Sequence, residues 1–275
     1  VSFAESDLTH DGFLDGHLTV AQPAKGYRAG SDSVLLAASV PADSGQSVLE
    51  LGCGAGVAGL CLAVRVPRLD LHGVELQADY AELARRNATG NGLDFKVHTA
   101  DLRSLPNALQ SRAFDQVMAN PPYFRRSART RAADPGRETA LASEAPLADW
   151  IGIAAKRLAP KGYLSVVQDI CRLPELLTAI IASRLGSIEV LPLSARVGRA
   201  PHLVLARARK GGRTPYRQYF PLILHKGAHH ERDGESYTDR VARILREGTA
   251  LDFGAPGDSL RSTTSLRMAR LPHGD

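Results

Sequence analysis

SVLELGCGAGVAGL occupies residues 47–60, and its reading decides the fold. The apolar SVLEL (47–51) predicts a strand, and VAGLCLAVRV (57–66) predicts a helix. Between them stand Gly52, Gly54 and Gly56 in a GxGxG pattern. Glycines at such a turn let the chain reverse tightly and let its backbone approach a ligand. The glycines have a strand before them and a helix after them, the context such a motif requires.

Working downstream, the alternation continues. LDLHGVEL (69–76) predicts a second strand, and 78–90 a helix with small or apolar residues at Ala78, Ala81, Leu83, Ala84 and Ala88. DFKVHTAD (94–101) and FDQVMAN (114–120) predict the third and fourth strands. LADWIGIAAKRLA (147–159) reads as a helix, GYLSVVQD (162–169) as a fifth strand and LPELLTAIIASRL (173–185) as a helix. SIEVLPLSA (187–195) and HLVLARARK (202–210) read as the sixth and seventh strands. Alternating strands and helices joined by short loops imply an α/β fold, a mostly parallel sheet covered on both faces. The last two strands have no helix between them, so they should form an antiparallel hairpin at one edge.

Upstream, LTVAQ (18–22) predicts a short strand and GYRAGSD (26–32) a turn-rich loop, with Asp32 as an acidic cap on the helix SVLLAASV. Near the other end, YFPLILH (219–225) reads as extended and Tyr237–Glu247 as a helix. The expected organisation is one domain: an N-terminal segment over 1–45 that closes the ligand site, the sheet domain over 46–250, and a loosely ordered Gly-, Ser-, Thr- and Arg-rich tail over 251–275.

Bulk properties exclude several classes. With 44% hydrophobic and 23% charged residues, the 275-residue chain matches a soluble globular protein with one sizeable core. It has no apolar run of the roughly 18 residues that a membrane helix needs, and its start lacks the pattern of a secretory signal. Cys53, Cys61 and Cys171 form no CxxC pair, so neither a disulfide framework nor a metal site is expected, and a reducing cytoplasm fits. The net charge of +5 mildly favours a polyanionic partner.

In such folds the ligand lies beyond the carboxyl ends of the strands. Glu75 closes the second strand, where an acidic residue can accept from both ribose hydroxyls; alternatively it is a solvated strand end. Asp101 closes the third strand, where it can accept from an adenine amino group or cap the next turn. Asn120-Pro121-Pro122-Tyr123 follows the fourth strand. The prolines lack backbone donors and stiffen the chain. That aims the Asn120 side-chain oxygen and the Pro121 carbonyl as two acceptors. An amino group has two N–H bonds to give them, which draws its lone pair out of conjugation toward an incoming electrophile. Tyr123 can stack on the planar group that carries it.

A GxGxG loop preceded by Glu50, together with NPPY, resembles the Rossmann-like class I methyltransferases that modify amino groups of adenine, guanine or glutamine. FLDGHLTVAQPAKGYRAGSDSVLLAA (13–38), RARKGG (207–212), PLILHKG (221–227) and SYTDRVARIL (236–245) narrow the resemblance to the bacterial valine-tRNA adenine-N6 methyltransferases. That likeness covers about residues 8–250 and implies S-adenosylmethionine as cofactor and tRNA as partner, with methylation of the adenosine 3′ of the anticodon. It implies cofactor contacts at Gly52, Gly54, Gly56, Glu75 and Asp101, with Glu50 beside them, and target contacts at Asn120, Pro121, Pro122 and Tyr123. It also implies that Tyr27, Arg28 and Asp32 line the cofactor pocket.

After NPPY the chain is dense in arginine. Arg125, Arg126, Arg129 and Arg131 are expected to contact RNA phosphates, and Arg207, Arg209, Lys210 and Arg213 form a second basic group with the same possible role. Three other functions compete. A protein glutamine methyltransferase shares NPPY, but such enzymes usually carry a helical domain before the sheet. A guanine-N2 rRNA enzyme often carries a duplicated domain. An RNA-binding module without chemistry would not need intact glycines, Glu75 and NPPY together.

Overall fold

The computed structural model describes residues 3–123, 145–227 and 236–254. Strand β3 (Ser47–Leu51) lies centrally, parallel to β4 (Asp70–Glu75) on one side and β6 (Phe114–Ala119) on the other. β5 (Phe95–Thr99) extends the sheet beyond β4, and β7 (Leu158–Asp169) extends it beyond β6. β9 (Leu203–Lys210) inserts between β7 and β8 (Leu185–Ser194), antiparallel to both. The expected hairpin is therefore present as β8–β9. β8 is not the outermost strand, because β10 (Arg217–Gln218) and β11 (Leu222–Ile223) add short parallel pieces to it. Within the predicted extended run at 219–225 only Leu222–Ile223 joins the sheet, and β10 lies just before it; Pro221, which has no N–H to give a ladder, stands between the two pieces.

Helices cover both faces. α1 (Ser31–Ser39), α2 (Val57–Arg65), α3 (Ala78–Gly90) and α7 (Asp239–Glu247) bury their apolar residues with Val48, Leu71 and Val97. The short α4 (Asn107–Gln110), α5 (Leu147–Arg157) and α6 (Leu173–Ala182) bury theirs with Leu49, Leu51 and Val74. Successive strand residues point to opposite faces, so Val48 and Leu49 enter different cores. That alternation also decides the fate of Glu50, described below.

A two-stranded antiparallel ribbon precedes the sheet domain. β1 (Leu8–Phe13) pairs with β2 (Leu18–Pro23). β2 matches the predicted LTVAQ strand, whereas β1 has no counterpart in the sequence reading, because LTHDGF is half exposed and carries no apolar alternation. The ribbon docks through Asn87 of α3. Its side-chain oxygen accepts from the Ala21 amide (2.9 Å), and its Nδ2 donates to the Ala21 carbonyl (3.0 Å) and the Ala55 carbonyl (2.9 Å). One buried amide thus joins the ribbon, the helix and the glycine turn.

The packed chain also runs past the expected boundary at 250. Leu251 and Phe253 are buried, and the Leu251 amide donates to the Ala38 carbonyl (2.8 Å). The remainder of the expected tail, 255–275, lies outside the described residues. Among the described residues no helix is long and apolar enough to cross a membrane.

Candidate active site

The ends of β3, β4, β5 and β6 open into one cavity of about 420 Å³, a size typical of small-molecule sites. Tyr27, Gly52, Gly54, Glu75, Asp101, Asn120, Pro121, Pro122 and Tyr123 all line it. Two motifs 60 or more residues apart in the chain meet there because parallel strands put all their carboxyl ends at one side of the sheet.

The glycine turn is cut close. Gly52 has φ +68°, and a Cβ there would lie 2.5 Å from the Trp150 ring of α5. A Cβ on Gly54 would lie 3.5 Å from the Tyr27 ring. This leaves bare backbone between two aromatic side chains, a cradle that a larger residue would fill. Glu75 is held at its rim by two backbone donors, Gly54 N to Oε2 and Gln77 N to Oε1, both 2.9 Å. Burial raises its pKa, and those amide donors oppose the rise. Apolar walls come from Val74, Leu76, Leu102 and Trp150. A carboxylate at the second strand end, a bare backbone turn and a flat apolar slot fit the ribose, the amino-acid portion and the adenine of S-adenosylmethionine.

Other predicted contacts fall elsewhere. Glu50 points with Val48 to the α2 face, away from the cavity, and a Cβ on Gly59 would lie 2.6 Å from its Oε2. That oxygen is buried without a hydrogen-bond partner, and burial pushes the Glu50 carboxyl up to about 8. Gly56 starts α2 at φ +90° and faces Ala84, Phe95 and Leu60. Arg28 turns outward, donating to Asp11 (2.7 Å), Thr9 (2.6 Å) and the Pro23 carbonyl (3.3 Å). Asp101 does line the cavity, but it also caps the following turn through the Arg103 amide (2.8 Å) and pairs with the Arg103 guanidinium (2.6 Å). The capping alternative for Asp101 is therefore present, in a residue that also borders the cavity.

Asp32 is the largest departure from the expected roles. It lies in the first turn of α1 and does not line the cavity. Its Oδ2 accepts from Asn120 Nδ2 (3.0 Å) and from the Tyr123 hydroxyl (2.7 Å), and its Oδ1 accepts from the Gly30 amide (3.1 Å). Burial, with the Asp32 carboxylate next to it, raises the Tyr123 phenol above the ordinary tyrosine range.

The NPPY turn is further held from the end of β7. Gln168, fully buried, donates to the Pro121 carbonyl (3.3 Å), and Arg172 donates to the Pro122 carbonyl (2.7 Å) while pairing with Glu175 (2.8 Å). The Pro121 carbonyl keeps a second lone pair for a substrate. Sequence reasoning missed Trp150, Gln168 and Arg172. Two signals pointed to them: Trp150 is the only tryptophan, and Gln168 is a polar residue ending an apolar strand.

Arg125, Arg126, Arg129 and Arg131 lie outside the described residues. Three members of the second basic group are already engaged. Arg207 pairs with Glu189 (3.1 Å) and lies 3.9 Å over the Phe253 ring. Arg209 donates to the Lys161 carbonyl, and Lys210 to the Ala155 and Leu158 carbonyls, at the opposite end of β7 from the cavity. These three side chains thus have partners within the fold.

Comparison with known proteins matches this geometry. A family described as methyltransferase small domain matches residues 28–190. A Porphyromonas gingivalis protein named tRNA1(Val) (adenine(37)-N6)-methyltransferase is 32% identical over 179 residues, covering 60% of this chain and 69% of the relative. A Cronobacter sakazakii protein of the same name is 30% identical over 215 residues, covering 74% and 84%. Among solved structures, a predicted O-methyltransferase from Agrobacterium tumefaciens superposes with a TM-score of 0.62 at 27% identity, covering 80% of this chain and 98% of the other. A SAM-dependent O-methyltransferase from Thermotoga maritima, at 19% identity and a TM-score of 0.51 over 70% of this chain and 69% of its own, shares the fold. The chain belongs to the methyltransferase small-domain family and, within it, to the bacterial valine-tRNA adenine-N6 methyltransferases.

Proposed function

We propose that this protein is an S-adenosylmethionine-dependent methyltransferase acting on the exocyclic N6 amino group of an adenine in tRNA, the adenosine 3′ of the anticodon. The observation that carries this reading is the single cavity lined both by the glycine turn with Glu75 and by Asn120–Tyr123. The tRNA and the adenine follow from the names of the relatives, and tRNA as substrate implies work in the cytoplasm.

S-adenosylmethionine supplies a methyl group activated by its sulfonium. The chain's own residues supply position. Asn120 Oδ1 and the free lone pair of the Pro121 carbonyl accept the two N–H bonds of the target amino group, so its lone pair turns toward the methyl. Tyr123 offers a ring on which the adenine can stack. The nitrogen that gains the methyl afterwards loses a proton to solvent, so no strong base is needed. Catalysis is then positioning and electrostatics. Tyr27, lying against Gly54, supports the proposed closing role of the 1–45 segment. Arg125, Arg126, Arg129 and Arg131 are proposed to hold phosphates of the flipped-out nucleotide's neighbours.

The test is incubation with labelled S-adenosylmethionine and either total tRNA or a release factor, followed by digestion and identification of the methylated product. N6-methyladenosine from tRNA is expected, and Asn120→Ala should lower turnover by about 10²-fold, the scale of one aimed polar group. Methylated glutamine with unmodified tRNA would reject the reading.

A further inference from the structure

Resting on the function proposed above, we infer that Asp32 is a positioning residue, which sets the Asn120 side-chain amide so that its oxygen faces the target amino group. A side-chain amide has one acceptor end and one donor end of nearly equal shape. The chemistry requires the acceptor end toward the substrate. The backbone of the NPPY turn does not make that choice, since it holds either orientation.

The choice is made from α1, 88 residues earlier in the chain. Asp32 Oδ2 lies 3.0 Å from Asn120 Nδ2, and the Tyr27 hydroxyl oxygen lies 3.4 Å from the same nitrogen. A carboxylate can only accept. A flipped amide would set Asn120 Oδ1 against it, exchanging a charge-assisted hydrogen bond for a repulsion. Both amide hydrogens are therefore drawn to the α1 side. Oδ1 is left without a partner among the described residues, free for the substrate.

The same Asp32 oxygen takes the Tyr123 hydroxyl at 2.7 Å, so one atom positions the acceptor and the stacking ring together. The carboxylate is itself anchored, since Oδ1 accepts the Gly30 amide at the start of the helix. Asp32 does not line the cavity, so a direct hold on the cofactor does not account for this arrangement.

Asp32→Asn, Asn120→Ala and the double variant separate positioning from general support. Asp32→Asn keeps the shape but can present either a donor or an acceptor to Asn120. It should lower kcat about tenfold or more, with S-adenosylmethionine affinity and KM for tRNA within about twofold of wild type. Because Asp32 acts through Asn120 and Tyr123, the double variant should lose less activity than the product of the two single losses, whereas independent roles multiply. A second measurement needs no substrate. In protein labelled with 15N at asparagine, the Asn120 side-chain amide protons, assigned by their loss in Asn120→Ala, should exchange more slowly with solvent in wild type than in Asp32→Asn. The inference is overturned by wild-type kcat in Asp32→Asn, by loss of cofactor affinity that accounts for its defect, by multiplicative effects in the double variant, or by equal exchange rates. If the wild-type protein transfers no methyl to tRNA, the proposed function fails, and the exchange comparison still decides the role of Asp32.

Discussion

Tyr123 shows how a side chain can have two jobs that its sequence context does not separate. As a stacking ring it needs no hydroxyl, and NPPY alone predicts that phenylalanine would serve. The structure ties that hydroxyl to Asp32 at 2.7 Å, and a hydrogen bond to a charged acceptor contributes about 1.5–3 kcal/mol. Tyr123→Phe should therefore turn over at a rate between those of wild type and Tyr123→Ala, measured at saturating substrate; a Phe enzyme as fast as wild type would leave the hydroxyl without a role. Glu50 makes a second point at this scale. Its carboxyl is pushed up to about 8 from 4.5, first by burial and then by the nearby Glu75, while the Gly59 amide acts the other way. The folded state thus holds a proton that the unfolded chain releases near 4.5. The contribution to stability is full below that pH and is lost as the pH rises through about 8. Glu50→Gln, uncharged throughout, should gain in melting temperature over wild type across that window and hold a constant lead above it. A gap that does not change with pH would mean that Glu50 does not titrate there.

Elements are joined here by buried polar side chains as much as by apolar faces. Asn87 sits on α3 at a position that helical spacing assigns to the buried side, among Leu83, Ala84 and Ala88. An asparagine there looks like a flaw until its three hydrogen bonds to Ala21 and Ala55 are seen. Asn87→Ala leaves those backbone groups unpaired, which costs about 1–3 kcal/mol for each buried group that finds no substitute. It should lower the denaturant midpoint and also weaken S-adenosylmethionine binding, because the ribbon it docks leads directly to Tyr27. Calorimetry on the variant, run with chemical unfolding, reads both, and unchanged stability would show that the ribbon is held by other means. Gln168 and Arg172 work similarly at the end of β7, each giving a donor to a proline carbonyl that the turn cannot satisfy internally.

The molecule as a whole is a sheet with a separate core on each face, and its last described residues close one of them. Leu251 and Phe253 pack with α1 and α7, and the Phe253 ring lies under Arg207 and edge-on to Tyr219. The Gly-, Ser-, Thr- and Arg-rich composition from residue 251 onward suggests a tail, yet these two side chains are 2% exposed. Leu251→Ala should cost about 2–5 kcal/mol, the range for truncating a buried leucine, read as a lower urea midpoint at unchanged slope. A variant as stable as wild type would return residue 251 to the tail.

Patterns confined to a few neighbouring residues were legible before any coordinates. Strand alternation, helical spacing and the glycine turn depend on local geometry, so β3 and α3 carry the bounds that spacing predicts and β4 differs by one residue at each end. The rule that ligands lie beyond parallel strand ends then brought Gly52, Glu75 and Asn120 together without a structure. Side-chain direction at single positions was not legible. Glu50 and Arg28 sit beside true lining residues in the chain, but strand alternation turns Glu50 into the α2 face and an ion pair with Asp11 draws Arg28 outward. Asp32 reaches Asn120 across 88 residues of intervening chain. Which atom meets which across that separation depends on how α1 packs against the end of β6, and only the assembled fold sets that.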